Sequence, residues 1–404
     1  MSQLSRKRPE RNDRHRAGSG ISIRVITGLS AAESTWREFE KTADRTVFQA
    51  YDWLLEWNNH VGKKREILPV IVIGLGPDGE PLILMPLAIE KRWLLRRLVW
   101  LGSDLCDYNA PLLARRFSAC VPPERFGWFW REIIRTIRAD PALRFEVVDL
   151  HRMPERVGAQ QNPFLTLPVV STTFGAHVAT LATNWNEFYS SKRSAQDRKT
   201  DRRKMRNLAE YGELRFVDVR QRIDVEQTME TLIRQKQESY ARMRVEDIFR
   251  RSGHREFFMA VTANPRLGDI VHVSRLDAGT EQVATGLGLN FQNRYHLLLS
   301  GYEDGEIARC SPGRMHLHGL MQYAIERNCR EFDFTIGDEP YKLEWSDIHL
   351  KLFDYFEGAT VGGRLIVANK IATRRANLFI CQRPALRRPL SKLRSLMMVL
   401  GVRA

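Results

Sequence analysis

Apolar and polar residues alternate over Ile21–Ile26, the period of a half-buried strand. The pattern then turns helical, with Ser30 as an N-cap ahead of Ala31–Glu40 and a second helix holding Tyr51, Trp53, Leu54 and Trp57. Two apolar runs, Leu68–Gly74 and Pro81–Glu90, flank Gly76-Pro77-Asp78-Gly79, so they predict an antiparallel hairpin with its turn residues in place. A strand at Leu98–Leu101, a helix over Arg125–Arg138 and a strand at Phe145–Leu150 complete a mixed α/β half.

A comparable order recurs from residue 171. One helix is predicted from Trp185 through a basic segment to Tyr211, with Gly212 as its stop. A short strand at Phe216–Val219 and a long helix over Val225–Met243 follow. Strands at Ile270–Ser274, Gln282–Asn290 and Tyr295–Ser300 lead to a helix at Arg314–Arg327 and a strand at Glu331–Phe334. The repeat is one of pattern rather than of sequence, and it predicts a duplicated α/β fold. The expected divisions are a basic leader (1–20), a first domain (21–170), a second (171–357) and a basic amphipathic tail (358–404).

Composition narrows the class. With 404 residues, 43% hydrophobic and 27% charged, the chain has material for sizeable cores, which excludes a wholly disordered or collagen-like protein. Its densest apolar stretch, Leu82–Ile89, falls far short of the roughly 20 residues that a membrane-spanning helix needs. Five cysteines without a CxxC pair support neither a thiolate zinc site nor a disulfide framework. No two histidines have HxxxH spacing, and His316 and His318 fall on different faces of a helix, so no metal is expected. The first twenty residues are too polar for a secretory signal, and the reduced cytoplasm is the expected compartment.

Charge is concentrated. Residues 1–20 carry six Lys/Arg against two acids, residues 192–206 eight against two, and residues 358–404 ten against none. These windows exceed the chain's net +15, so the remaining body is mildly acidic. Such a layout permits an anionic partner, namely nucleic acid, anionic lipid or a phosphate-rich cofactor.

Four stretches carry chemistry. Tyr302–Arg314 joins a strand to a helix: Pro312 fixes the turn, Gly313 lets a ligand approach the backbone, and Arg309 and Arg314 bracket it as phosphate contacts. The bland alternative is an ordinary helix start capped by Ser311. Phe332–Trp345 sets Asp333 on a strand, then turns through Gly337 into Asp338, Glu339, Tyr341 and Lys342, a carboxylate base beside a phenolic acid. A surface loop whose acids offset Lys342 is the competing reading. Lys192–Arg206, with Arg198, Arg202 and Arg206 four apart, forms either a solvated cationic face or a lip over an anionic ligand. The loop Gly102–Leu113 gathers Asp104, Asp107, Tyr108 and Asn109, as a capped turn or as acceptor contacts.

Taken in order, Phe48–Trp57, Cys106–Leu112, Arg202–Leu208 before Gly212, Ser311–Gly313 and Gly337–Lys342 resemble the cellulose-biosynthesis-associated (CelD-type) acetyltransferases of the GNAT superfamily. That family is related to the Fem-type aminoacyltransferases. The resemblance spans about residues 45–350. It implies tandem GNAT-like (acyl-CoA N-acyltransferase) domains, each a mixed, mostly antiparallel sheet flanked by helices, with the better-formed donor site in the second. It implies acetyl-CoA or another acyl-CoA as donor and a hydroxyl or amine acceptor, on a polysaccharide or its precursor. The Ser311–Gly313 turn takes the pyrophosphate position, but the sequence departs from Q/R-x-x-G-x-G/A: after Gly313 it reads Arg314-Met315, with Arg314 offered as a compensating phosphate contact.

Direct transfer would then use Asp338, Glu339 or a water they hold as base, Tyr341 as acid toward the departing thiolate, and Lys342 as charge stabiliser. Asp333 would orient the loop, and Asp107 and Tyr108 would touch the acceptor from the first half. Two competing functions stand beside this. One is a Fem-like transferase fed by aminoacyl-tRNA, with the basic helix on RNA phosphates. The other is a non-catalytic adaptor whose tail, Leu365–Val399, lies on an anionic membrane; a packed terminal helix is the alternative for that tail.

Overall fold

The computed structural model describes residues 14–16, 20–93, 95–102 and 104–381. The predicted leader and the tail segment Leu390–Met398 lie largely outside them.

In the first half, β1 (Arg14–Arg16) and β2 (Ser22–Thr27) precede α1 (Glu33–Glu40) and α2 (Tyr51–Trp57). Ser30 does not cap α1; a 3-10 turn over Ser30–Ala32 leads into it. The predicted hairpin is β3 (Leu68–Leu75) and β4 (Pro81–Arg92), in register from Leu68↔Ile89 to Gly74↔Ile83. Val70–Ile73 are buried on both faces of the sheet, which is why the run reads as continuous rather than alternating. Gly79, at φ 82°, supplies the left-handed residue that the turn needs.

Next come β5 (Leu95–Trp100), β6 (Leu112–Leu113), α3 (Phe117–Cys120), α4 (Pro123–Ala139) and β7 (Val147–Pro154). The α4 helix starts on a proline at its first turn and buries Phe126, Phe129, Trp130, Ile133 and Ile137 along one face. A two-stranded ribbon, β8 (Arg156–Val157) with β9 (Gln160–Gln161), and β10 (Val170–Ser171) end this half.

The second half opens with β11 (Ala176–Thr180). The single helix predicted from Trp185 to Tyr211 is two: α5 (Trp185–Lys192) and α6 (Ala195–Ala209). Ser194 breaks it, because its Oγ accepts from the Asp197 N–H (3.1 Å) and donates to the Asp197 carboxylate (2.7 Å), a reciprocal cap. Then follow β12 (Leu214–Val219), α7 (Arg222–Met243), α8 (His254–Ala263), β13 (Val271–Ala278), β14 (Glu281–Phe291) and β15 (Arg294–Tyr302). The chain finishes with α9 (Pro312–Glu326), β16 (Glu331–Ile336), α10 (Pro340–Trp345), β17 (Ile348–Leu350), β18 (Leu352–Gly358) and α11 (Val361–Cys381).

Two large sheets result. One runs β1-β2-β3-β4-β5-β7-β18-β10 with β6 beside β4; the other runs β12-β13-β14-β15-β16-β11-β17. Both are antiparallel except at one parallel pair, β5 with β7 and β15 with β16 respectively. Strand β18, from the far end of the chain, fills the slot beside β7, so the first sheet does not close within residues 21–170. Apolar packing also crosses between the halves: the Trp53 ring meets Phe257 edge-on at 5.0 Å.

The tail begins as α11, whose Val367 and Ile371 pack on Val147 and Phe356. Its Lys370 and Arg374 pair with Asp149 and Asp354. Through residue 374, then, the tail has a packed face, while Leu365 and Ile366 are exposed. Among the described residues no helix is long and apolar enough to cross a membrane.

Candidate active site

The parallel pair in the second sheet is brief. Arg294↔Glu331, Tyr295↔Phe332 and His296↔Asp333 are in register, and then β15 and β16 part. Both strands are irregular at that point. In β15 an extra residue, Leu298, stands between the pairs Leu287↔Leu299 and Gly288↔Leu297, which makes a bulge. In β16, Thr335 takes φ 58°, unusual for a β-branched side chain, and its Oγ1 donates to the Leu297 carbonyl (3.1 Å) across the opening.

Beside β15, past this point, lies a cavity of about 310 Å³ lined by Leu297, Ser300, Tyr302, Gly313, Tyr341 and Trp345, among others. One end is apolar and the other is the turn into α9. There Ser311 adopts φ 58° and does not cap the helix. Its Oγ accepts instead from Lys204 of α6 (2.6 Å). Gly313 abuts the Tyr302 ring so closely that a Cβ would sit 2.9 Å from it, which is why glycine stands there. Arg314, also lining the cavity, reaches Asp201 and Glu344 at 3.4 Å each. Asp201, buried on α6, also accepts from Tyr189 Oη (2.9 Å). Lys204 is thus the member of the basic segment that reaches this turn.

His316 also lines the cavity, with its Nε2 3.0 Å from Ser274 Oγ. Burial holds its pKa down at about 3, so the ring is neutral at ordinary pH. Arg309, expected to flank the turn, is solvent-exposed and pairs with Glu306 (2.8 Å) instead; the 3-10 turn over Glu306–Cys310 directs it outward.

Behind the opening, the first half meets the second. The buried Tyr108 donates to Asp333 Oδ1 (2.7 Å), bonding residues 225 positions apart. The same carboxylate takes the Thr335 N–H (2.8 Å) and lies 3.4 Å from Arg294. Asp107 sits in the same loop, 3.8 Å from Arg152. Burial pushes the Asp107 carboxyl above its ordinary range, although Arg152 and Lys342 oppose that. Lys342, only 4% exposed, donates to the Ile336 carbonyl (2.7 Å) and pairs with Glu339 (2.9 Å).

Tyr341 faces the cavity, and burial followed by the Glu339 charge raises its phenol well above 10. Asp338 lies on the exposed loop, 3.0 Å from His177 Nε2. Of the expected residues, Ser311, Gly313, Arg314 and Tyr341 therefore share the cavity, Asp107, Tyr108, Asp333 and Lys342 form the polar wall between halves, and Asp338 and Glu339 flank it.

Two lysines near these groups were not picked out from the sequence. Lys204 was one charge in a run of eight. Lys236, on α7, is partly buried, and desolvation lowers its pKa against the attraction of Glu339; nothing in its neighbourhood of sequence marks it.

The first half repeats the strand geometry, with an aromatic cluster packed at the end of β5. β5 and β7 pair only at Arg97↔Val147 and Leu98↔Val148. Phe164, wholly buried, packs on Trp100 at the end of β5 (5.5 Å), on Trp130 of α4 (5.0 Å) and on Tyr355 of β18 (6.3 Å).

Residues 195–343 match the family model described as an acetyltransferase (GNAT) domain. The second half is thus similar to a GNAT domain. No curated protein matches the chain. Among solved structures, FemX superposes with a TM-score of 0.54 at 10% identity, over 80% of this chain and 96% of that one. The C-terminal DUF2156 domain of a putative lysylphosphatidylglycerol synthetase from Agrobacterium fabrum gives 0.50 at 7% identity, over 85% and 96%. A conserved protein of unknown function from Bacteroides thetaiotaomicron gives 0.50 at 8%, over 81% and 96%. At such identities the likeness is one of fold, and it extends over both halves. With the repeated sheet topology, it makes the architecture a tandem GNAT-like fold.

Proposed function

We propose that the protein transfers an acyl group from acyl-CoA, acetyl-CoA in the first instance, to a hydroxyl or amine acceptor. The parting of β15 and β16 over a cavity that ends at the Lys204–Ser311 turn carries this reading. An extended pantetheine arm fits beside β15, whose edge toward β16 has no strand partner beyond His296. A diphosphate fits at the turn, where Lys204, Arg314 and the start of α9 supply donors.

The bulge at Leu298 sets that residue outside the ladder at the head of the opening, where its backbone N–H would meet a thioester oxygen that gains charge during attack. The acceptor heteroatom bonds the thioester carbon and yields its proton to Asp107. The C–S bond then breaks, and Tyr341 protonates the thiolate. Asp107 is preferred over Asp338 and Glu339 because burial raises its proton affinity against only a long, 3.8 Å pair with Arg152. Asp333, saturated by Tyr108, Thr335 and Arg294, acts as a positioning residue.

The acceptor enters between the halves, and the CelD-type resemblance favours a sugar of a polysaccharide or its precursor. Release of CoA from acetyl-CoA, followed with a thiol reagent against a panel of sugar and amine acceptors, tests this. Asp107→Asn and Tyr341→Phe should each lower turnover by about 10²-fold or more with donor affinity unchanged; full turnover in both variants ends the assignment. Arg202, Arg203 and Arg206, exposed on α6, favour a second reading with aminoacyl-tRNA as donor. Salt-sensitive binding of charged tRNA, without binding of CoA, would replace the first.

A further inference from the structure

His177, Asp338 and His349 are 161 and 172 residues from first to second and third, yet the second sheet gathers them. Strand β11 lies between β16 and β17, and its His177 pairs directly across the ladder with His349. The two rings stand 5.1 Å apart, inclined at 55°. Past the end of β16 the chain reverses at Gly337, whose φ of 115° suits glycine and whose N–H bonds the Gly175 carbonyl (3.2 Å). The reversal brings Asp338 Oδ1 to 3.0 Å from His177 Nε2. The possible ligand atoms of all three residues lie within 4.8 Å of one another.

We infer that His177, Asp338 and His349 form a binding site for a divalent late transition metal, Zn²⁺ foremost. Two imidazoles and one carboxylate are a donor set that this ion takes, at about 2.0–2.2 Å per ligand, and three protein ligands leave a fourth position for water. Imidazole donors disfavour Mg²⁺ and Ca²⁺, which take oxygen ligands. His177 is 3% exposed and fixed by the sheet, whereas the side chain of Asp338 is 53% exposed and His349 stands at the open edge. The buried imidazole thus sets the position, and the two exposed ligands have room to close from 4.8 Å to coordination distances.

An ion there would tie the loop of Gly337–Glu339 to β11 and β17. That loop leads straight into α10, whose Tyr341 and Trp345 line the cavity. The metal would therefore hold one wall of the site in place. It touches neither Asp107 nor the proposed acyl transfer, so the inference stands independently of the donor.

The test uses the full chain, purified without a histidine tag and stripped with chelator. Calorimetric titration with Zn²⁺ should give one saturable site per chain, and Co²⁺ should develop the visible absorption of a low-coordinate complex. His349→Ala, on an exposed edge, should weaken binding about tenfold or more, as even outer-shell partners of a metal carry that much. His177→Ala should do the same, and His60→Ala should change nothing. Zn²⁺ should raise the thermal midpoint of the wild type and leave that of His349→Ala unmoved. Absence of saturable binding of either ion, or binding kept in full by the folded His349→Ala variant, overturns the site.

Discussion

Replacing Lys204 with Met isolates the phosphate end of the cavity. The substitution keeps most of the aliphatic stem and removes the ammonium that lies 2.6 Å from Ser311 Oγ. A hydrogen bond to a charged group contributes about 1.5–3 kcal/mol, and about 1.4 kcal/mol is tenfold in affinity. Lys204→Met should therefore weaken CoA about 10- to 100-fold, measured by calorimetry at fixed ionic strength. Pantetheine, which lacks the diphosphate, should bind the variant as it binds the wild type. The drop should also shrink as salt rises, because the lip is partly exposed. Arg309→Ala should leave both ligands unaffected, since that guanidinium is in solvent on Glu306. An unchanged CoA affinity in Lys204→Met, or an equal loss for pantetheine, would refute the placement of the diphosphate.

Other consequences follow from burial and charge. Phe164→Ala should cost about 3–5 kcal/mol in chemical denaturation, the range for a wholly buried ring, and leave CoA affinity at the second-half cavity intact; a loss below about 1 kcal/mol would contradict that packing. Asp104 links the halves, with Arg65 at 2.6 Å and His254 at 3.2 Å. Burial alone would raise its pKa, but these partners hold it at about 2 against 3.8 unfolded. The stabilisation, about 2 kcal/mol at 1.36 per pK unit, is complete above the unfolded value and is lost as pH falls from 4 through 2. Asp104→Asn should thus be less stable by about that amount at pH 7 and no less stable near pH 2; a constant deficit across that range would contradict the linkage.

The sequence carried the fold wherever an element was long and its pattern local. The β3–β4 hairpin, α4, α7 and the β13–β15 series all announce themselves by period and turn residues. What it hid were short strands defined only by their partners: β11, β17 and β18 take their places from other parts of the chain, and nothing in three to seven residues states which sheet will receive them. The split of α5 from α6 was legible in principle, as Ser194 and Asp197 have the spacing of a reciprocal cap.

The site divides in the same way. Ser311, Gly313, Arg314 and Tyr341 stood out by turn chemistry and order, whereas the bond from Tyr108 to Asp333 was not foreseen. Lys204 could not be singled out from its cationic neighbours, because selection among them depends on which faces Ser311. His177 and His349 become neighbours only through strand pairing, so spacing along the chain gives no hint of them.

In the proposed function one acyl-CoA binds per chain, and it binds in the second half. Calorimetric titration of the full chain with acetyl-CoA measures this directly, alongside Ser300→Trp, which places an indole in the cavity beside β15. One site per chain is expected in the wild type and none in Ser300→Trp, with the folded state retained. Two sites per chain, or one site undiminished in Ser300→Trp, would contradict it.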